Sequence, residues 1–220
     1  MWMGNGEECG ASLFLENKSH QDMKSFWDER YAASEYVYGE TPNAFFKAQL
    51  EKLSPGRLLL PCEGEGRNAV FAAQMGWEVE AFDQSEMGRE KALRLAERKG
   101  VHFNYQISDW SDAIYPEASF DAIALIFAHL PAAIRATAHQ QLIPYLKPGG
   151  TLILEGFNPR QLQYQTGGPK DPSMLFTEAI LRQDFAELEL LELYETEEEL
   201  DEGPYHSGRA AVIRLVGRKG

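Results

Sequence analysis

Gly64 and Gly66 stand in the stretch Leu58-Leu59-Leu60-Pro61-Cys62-Glu63-Gly64-Glu65-Gly66-Arg67-Asn68, where an apolar run breaks into a loop. The helix-like segment Ala69-Val70-Phe71-Ala72-Ala73 follows, and a second apolar stretch, Trp77 to Phe82, stops at Asp83. Glycine has no Cβ, so such a loop turns tightly and lets a ligand approach the backbone. The helix behind it offers unpaired N–H groups and a positive dipole end. Asp83 follows Gly66 at a little less than the ~20 residues typical of a ribose-binding acid, and a carboxylate there accepts bonds from both ribose hydroxyls. Strand, loop, helix, strand and acid make a cradle for a nucleoside.

Other residues bear on what happens beside that cradle. His129 follows the apolar run Phe120 to Phe127 and is placed to face a substrate. His206 lies in Gly203-Pro204-Tyr205-His206-Ser207-Gly208, a glycine-bounded loop able to fold over a site. These two are the candidate catalytic residues; the alternative for each is a hydrogen-bonded structural histidine. No metal site is expected, because His102 and His139 are scattered and Cys9 is remote. The segment from Phe157-Asn158-Pro159-Arg160-Gln161 to Gly167-Gly168-Pro169 is patternless and reads as a substrate lid or a surface excursion. Arg67 and Arg160 either hold an anionic substrate or form surface ion pairs, and Arg67, directly after the glycine loop, is also a candidate cofactor-binding residue. Trp27, Tyr31, Tyr36 and Phe45 either cover a pocket or belong to the core.

The bulk numbers bound the frame that positions these groups. A chain of 220 residues suits one domain, and 44% hydrophobic with 25% charged residues suits a globular one. The net charge of -13 and the lack of a basic stripe argue against a nucleic-acid partner. Much of the acid sits in Glu195, Glu197, Glu198, Glu199, Asp201 and Glu202, which reads as a solvated loop. The two cysteines, Cys9 and Cys62, imply no disulfide framework and fit a reducing cytoplasm. No apolar run reaches the ~18 residues needed to span a bilayer, so no membrane partner is expected. Residues 1–19 carry no secretory signature and read as a flexible N-terminal extension ahead of a single domain, 20–220.

Along that domain, His20 to Ala33 reads as a helix, and Thr41-Pro42 as the start of a second that ends near Ser54-Pro55-Gly56. Strands are expected at Arg57 to Pro61, Glu78 to Phe82, Phe103 to Ile107, Phe120 to Phe127 and Thr151 to Glu155. Helices are expected at Arg67 to Met75, Ser85 to Lys99 and from Pro131 to about Tyr145. After a short helix at Thr177 to Gln183, strands near Ala186 to Glu195 and Arg209 to Val216 are joined by the acidic loop and so run antiparallel. The fold class is α/β, a doubly wound, Rossmann-like, mostly parallel seven-stranded sheet with an antiparallel C-terminal strand and helices on both faces. Ligands bind such sheets outside the carboxyl ends of the strands, where Glu63, Asp83, Asp109 and Phe127 all fall.

Together these residues resemble a class I S-adenosylmethionine-dependent methyltransferase, and within it the tellurite-resistance, TehB-like branch. The resemblance spans residues 24–218. It rests on Trp27-Asp28-Glu29-Arg30-Tyr31 with Tyr38-Gly39, on Gly64-Glu65-Gly66-Arg67-Asn68, and on Asp83-Gln84-Ser85. Asp109-Trp110, Phe120-Asp121 leading to His129-Leu130-Pro131, and Leu146-Lys147-Pro148-Gly149-Gly150 complete it. It implies S-adenosylmethionine as cofactor, with N-terminal helices (20–55) capping its site. By the same resemblance Gly64 and Gly66 line the methionine portion, Asp83 holds the ribose hydroxyls and Gln84 borders the adenine. Asp109 accepts from the adenine amino group, with Trp110 donating beside it or packing on the ring. Ile126 and Phe127 face the sulfonium, and Arg30 and Tyr38 close over the methionine carboxylate. The chain departs from the family pattern at Leu60 and Cys62, where an acid and a glycine are usual; Glu63 is a substitute for the missing charge toward the cofactor's amino group.

The expected function is methyl transfer to a small-molecule nucleophile, a thiol, a chalcogen oxyanion or similar, by a cytoplasmic monomer or homodimer. Because a sulfonium is already activated, a general base is needed only for a protonated nucleophile. The alternatives are an NAD-dependent oxidoreductase using the same loop, and a non-catalytic S-adenosylmethionine-binding regulator. Against the oxidoreductase, Ala69 stands at the third glycine of the dinucleotide pattern, and Leu146 to Gly150 has no role there.

Overall fold

The computed structural model describes residues 20–220, with side chains from Met23 onward. The expected extension, 1–19, with Cys9, lies outside the described residues. Seven strands form one sheet: β1 (Arg57–Pro61), β2 (Glu78–Asp83), β3 (Asn104–Ile107), β4 (Phe120–Ile126), β5 (Leu146–Phe157), β6 (Leu188–Asp201) and β7 (Ser207–Lys219). Their order is β3-β2-β1-β4-β5-β7-β6. β1 to β5 pair in parallel, and β7 runs antiparallel between β5 and β6. Strand order reverses between β1 and β4, which makes the crevice beyond their carboxyl ends the place for a ligand.

Among the described residues, six helices cover the sheet: α1 (His20–Tyr31), α2 (Ala44–Leu50), α3 (Arg67–Gln74), α4 (Glu86–Lys99), α5 (Ala132–Leu142) and α6 (Glu178–Asp184). The two-residue period of the strands divides the core. Leu58 and Leu60 point with Val79, Ala122 and Ile153 into a layer under α2, α3 and α4. Leu59 points with Phe82, Ile123, Leu152 and Leu154 into a layer under α5 and α6. β1 and β4 are thus buried on both faces, which explains their nearly continuous apolar runs. Several boundaries follow from local chemistry. Ser85 accepts from the Gly88 amide to cap α4, which Gly100 closes in the left-handed conformation. Thr177 caps α6 in the same way, by accepting from Ile180.

Three expectations are corrected. Asn43, not Thr41, caps α2: its side chain accepts from the Phe46 amide, and Pro42 precedes the helix. The acidic run is not a loop, since Glu195 to Asp201 continue β6, paired residue by residue with β7 from Ile213 to Ser207. Cross-strand arginines offset its charge, Arg209 binding Glu197 and Arg214 reaching Glu198 at 2.7 Å. Lys147-Pro148-Gly149-Gly150, expected as a turn ahead of the strand, belongs to β5 itself as an irregular stretch where pairing jumps from Phe120↔Leu146 to Ala122↔Thr151. Lys147 there donates to Asp121 at 2.8 Å, and Asp121 also accepts from the Arg57 amide, so this stretch ties together the amino edge of the sheet. The patternless segment after β5 contains two short 3-10 turns, Pro159–Gln163 and Pro172–Met174.

Candidate functional site

Non-glycine residues rarely occupy the left-handed region, and here Cys62 (φ 54°) and Phe127 (φ 53°) do so immediately beyond β1 and β4. These are the two strands that bound the switch point. Backbone strain of this kind costs on the order of 1–3 kcal/mol per residue and gathers at functional sites. Between the strand ends the glycine loop turns, with Gly64 at φ 57° and Gly66 at φ 84°. The two glycines have different reasons. A Cβ on Gly64 would lie 2.5 Å from the Tyr31 hydroxyl, and the Gly64 carbonyl accepts from Tyr105 at 2.6 Å. A Cβ on Gly66 would lie 2.5 Å from the Ala92 Cβ, so Gly66 lets α3 and α4 pack rather than facing the crevice.

Asp83 ends β2 beside this loop. One of its oxygens accepts from the Gly64 amide at 3.1 Å and the other from Ser85 at 2.9 Å. A carboxylate has about four lone-pair sites, so acceptor capacity remains. Burial raises its pKa to about 6, against the pull of those amides. Beyond β3, Asp109 accepts from the Trp110 amide at 2.6 Å. The Trp110 ring packs edge-on to Phe82, and its buried Nε1 has no oxygen or nitrogen acceptor, only the neighbouring Cys62 thiol. Cys62 is a free, half-buried thiol beside them, with its pKa pushed well up by burial and by the neighbouring Asp83. Gln84 and Ile126 are half-buried at the same edge.

Glu63 turns away from the crevice. Its Oε1 accepts from Asn68 and Ala69 at 2.9 and 2.8 Å, capping the start of α3. Burial raises its pKa to about 7 against those bonds. Arg67, also expected at the cofactor, donates instead to the Tyr38 carbonyl at 3.2 Å and to Glu202 at 2.8 Å, both side chains buried. Arg160 joins Glu195 and Glu197 at the surface, so ion pairing accounts for it.

The segment after α1 is bound over the loop by groups that sequence reasoning missed. Glu65 and Lys91 form a buried ion pair at 2.5 Å. Glu65 also accepts from the Val37 and Tyr38 amides, and Lys91 donates to the carbonyls of Tyr31, Ala33 and Glu35. Asp28 accepts from the Ser85 hydroxyl at 2.6 Å, fixing α1 to the start of α4. Trp27 stacks on Tyr31 near the loop, whereas Tyr36 and Phe45 are core or packed on it. Arg30 meets the Tyr38 hydroxyl at 3.5 Å and lies over the Tyr205 ring at 4.3 Å.

The two histidines separate clearly. His129 is committed to backbone on both sides: Nδ1 is 2.7 Å from the Met174 carbonyl and Nε2 accepts from the Phe157 amide at 3.0 Å. That pattern requires the proton on Nδ1, leaves Nε2 no lone pair for a substrate, and corrects its reading as a base. Burial lowers its pKa to about 4. His206 packs instead against Tyr38 and Phe127, each at 4.5 Å, beside the switch point. Sequence gave no sign of the buried partner Glu202, because it closes an acidic run; a glycine and a proline immediately after it were the available signal. Among the described residues, no three His, Cys, Asp or Glu side chains gather as a metal site. No helix among them is long and apolar enough to cross a membrane.

Residues 60–150 match a methyltransferase domain family. The ribosomal RNA small subunit methyltransferase B of Thermus thermophilus is 34% identical over 71 residues, 32% of this chain, and the match spans only 18% of that protein's length. Among solved structures, TehB from Haemophilus influenzae superposes with a TM-score of 0.65 at 17% identity, over 90% of this chain and 67% of that one. A protein solved in work on the conversion of a disulfide bond into a thioacetal group during echinomycin biosynthesis gives 0.72 at 18% identity, over 90% and 92%. The fold is that of the class I S-adenosylmethionine-dependent methyltransferases, and residues 60–150 within it match a methyltransferase domain. Within that class the fold resembles that of TehB.

The residues present fit the cofactor of that class. A buried indole N–H has no oxygen or nitrogen acceptor, and a buried carboxylate retains acceptor capacity at the tip of β2. Both stand at the crevice bounded by the left-handed Cys62 and Phe127.

Proposed function

We propose that the protein transfers a methyl group from S-adenosylmethionine to a small-molecule nucleophile such as a thiol or a chalcogen oxyanion. The observation that carries this reading is the convergence at one switch point of Asp83, the buried Trp110 indole and the two strained residues Cys62 and Phe127. Asp83 receives the ribose hydroxyls, Gln84 borders the adenine, and Asp109 with Trp110 holds its far edge. The Gly64 backbone faces the methionine portion, and Arg30 and Tyr38 receive its carboxylate. Ile126 and Phe127 form the wall before the reacting centre. The helices from 20 to 55 cap the site through the Glu65–Lys91 pair.

When bound, the cofactor supplies a methyl group already activated on a sulfonium. The chain's own residues then supply proximity, alignment and exclusion of water. Phe127, Phe157, Tyr38 and His206 form a continuous aromatic wall, with ring centroids 4.5–5.3 Å apart along it. Such a wall orients a compact acceptor and keeps the reaction dry. The small-acceptor reading is supported by that enclosure and by the net charge of -13, which disfavours RNA despite the ribosomal match. A free thiol at Cys62 suits a reducing, cytoplasmic setting.

The test offers purified protein S-adenosylmethionine with a panel of thiols, selenite and tellurite, and follows S-adenosylhomocysteine. Product with at least one member is expected. Cofactor binding without product across the panel supports the regulator, and tight NADH binding without S-adenosylmethionine binding supports the oxidoreductase.

A further inference from the structure

The polar cluster behind His206 is more elaborate than a surface hairpin needs. Glu202 is held on three sides: Arg67 donates to Oε2 at 2.8 Å, Asn43 Nδ2 donates to Oε1 at 2.9 Å, and His206 Nδ1 lies 3.5 Å from Oε2. Asn43 is itself fixed, because it also donates to Glu155 at 2.6 Å, caps α2, and bonds through its amide to Asn68 at 2.9 Å. Nδ1 of His206 is buried and faces the Glu202 carboxylate at a distance longer than an ordinary hydrogen bond. Catalytic hydrogen bonds are often this long before substrate arrives. The opposite edge of the ring lies against Gly167, at φ 112°, whose missing side chain leaves room beside it. A Cβ there would come within 2.8 Å of His206 Cδ2 and 3.4 Å of Nε2.

The same geometry bears on the acceptor's charge. Arg67 is neutralised by Glu202, Lys91 by Glu65, and Arg30 lies against the Tyr38 hydroxyl and the Tyr205 ring. The wall beside His206 is otherwise aromatic. With Arg30 holding the methionine carboxylate, an oxyanion entering it would lose hydration with no further cation among the described residues to replace it, whereas a neutral molecule would not.

We propose that His206 Nε2 accepts the proton of the methyl acceptor, that Glu202 positions the ring, and that the acceptor is a neutral thiol rather than a chalcogen oxyanion. This rests on the methyltransferase reading above. The acceptor sulfur forms a bond to the methyl carbon as the bond from that carbon to the sulfonium sulfur breaks, its electron pair remaining on the departing thioether. The thiol proton passes to Nε2 and then to solvent. The groups facing the ring are Glu202 from the hairpin, Arg67 from α3, Arg30 from α1, Tyr38 from the segment after it, and His129. Burial holds the imidazole pKa below its usual value, opposed by Glu202 and aided by Arg67 and Arg30. Thiols, near pKa 8.5, are within reach of such a base.

The experiment compares wild type, His206→Gln and Glu202→Gln on benzyl mercaptan, mostly protonated at neutral pH, and para-nitrothiophenol, already a thiolate. S-adenosylhomocysteine formation is followed across pH, and S-adenosylhomocysteine binding by calorimetry. His206→Gln should lower kcat at least ~100-fold on benzyl mercaptan and under about tenfold on para-nitrothiophenol, with binding kept within about threefold. Glu202→Gln should move the acid limb of the pH profile to lower pH, because the imidazolium loses its carboxylate. Equal losses on both thiols, or no loss on benzyl mercaptan, overturn the proposal. Should the variants fail to fold, nitrogen NMR of wild type bound to S-adenosylhomocysteine decides: benzyl mercaptan must shift the His206 Nε2 resonance, and an unmoved resonance overturns it. Turnover of tellurite but of neither thiol overturns this proposal alone. Absence of S-adenosylhomocysteine binding sinks the methyltransferase reading instead.

Discussion

Replacing Gly66 by alanine puts a methyl group where α4 already stands. The new Cβ would lie 2.5 Å from the Ala92 Cβ and 2.8 Å from its Cα, and the second of these is backbone that cannot rotate away. The residue also sits at φ 84°, where an L side chain costs roughly 1–2 kcal/mol. Overpacking a tight contact adds about 1–3 kcal/mol. Gly66→Ala should therefore lose about 2–5 kcal/mol, a large share of the ~5–15 kcal/mol typical of a domain. For a chain of this size that is a fall in Tm of roughly 4–20 °C. Urea unfolding followed by circular dichroism, with the slope against denaturant held in common, measures it. A variant within about 0.5 kcal/mol of wild type would refute the packing role of Gly66. A variant of normal stability that had lost only cofactor affinity would show instead that this glycine faces the ligand.

Two further perturbations bear on the site's electrostatics. Glu63 has a folded pKa of about 7 against 4.5 unfolded, so its contribution to stability is fully present below pH 4.5 and is lost as pH rises through 7. Glu63→Gln, which keeps an acceptor for the Asn68 and Ala69 amides, should gain on the order of 2–3 kcal/mol over wild type at pH 8 relative to pH 4; parallel pH–stability curves for the two proteins would contradict this. His129 behaves oppositely. Its folded pKa of about 4 lies below 6.5, so its contribution is present above pH 6.5 and lost as pH falls through 4. His129→Phe orphans the Phe157 amide and the Met174 carbonyl and should cost about 1–3 kcal/mol at pH 8 with S-adenosylhomocysteine affinity unchanged. A loss of turnover with no loss of stability would restore His129 as a base.

Much of the frame could be read before any coordinates, because its signals are local. Ser85 and Gly100 bracket α4 by side-chain and backbone chemistry that three or four residues contain. The buried strands β1 and β4 declare themselves by apolar runs, and Asp83 by ending one. What escaped depends on distance in the chain. Asn43 reaches Glu155 and Glu202 across 112 and 159 residues, and Arg67 reaches Glu202 across 135. No spacing rule joins such partners. The acidic run misread as a loop for the same reason: the arginines that let Glu197 and Glu198 sit in a strand belong to β7. Gly66 and Glu63 were assigned to the ligand because a glycine motif shows that a turn is tight without showing which side of it helix α4 occupies.

The most direct test of the cofactor site is calorimetric titration of S-adenosylhomocysteine into wild type and Asp83→Asn. Asparagine keeps an acceptor for one amide but removes the charge that receives the ribose. Wild type should bind with micromolar or better affinity, and Asp83→Asn should bind at least ~10-fold more weakly, a loss of about 1.4 kcal/mol. Equal affinity in the two proteins, or no binding by wild type, would place the nucleoside elsewhere and contradict the site at the β1–β4 switch point.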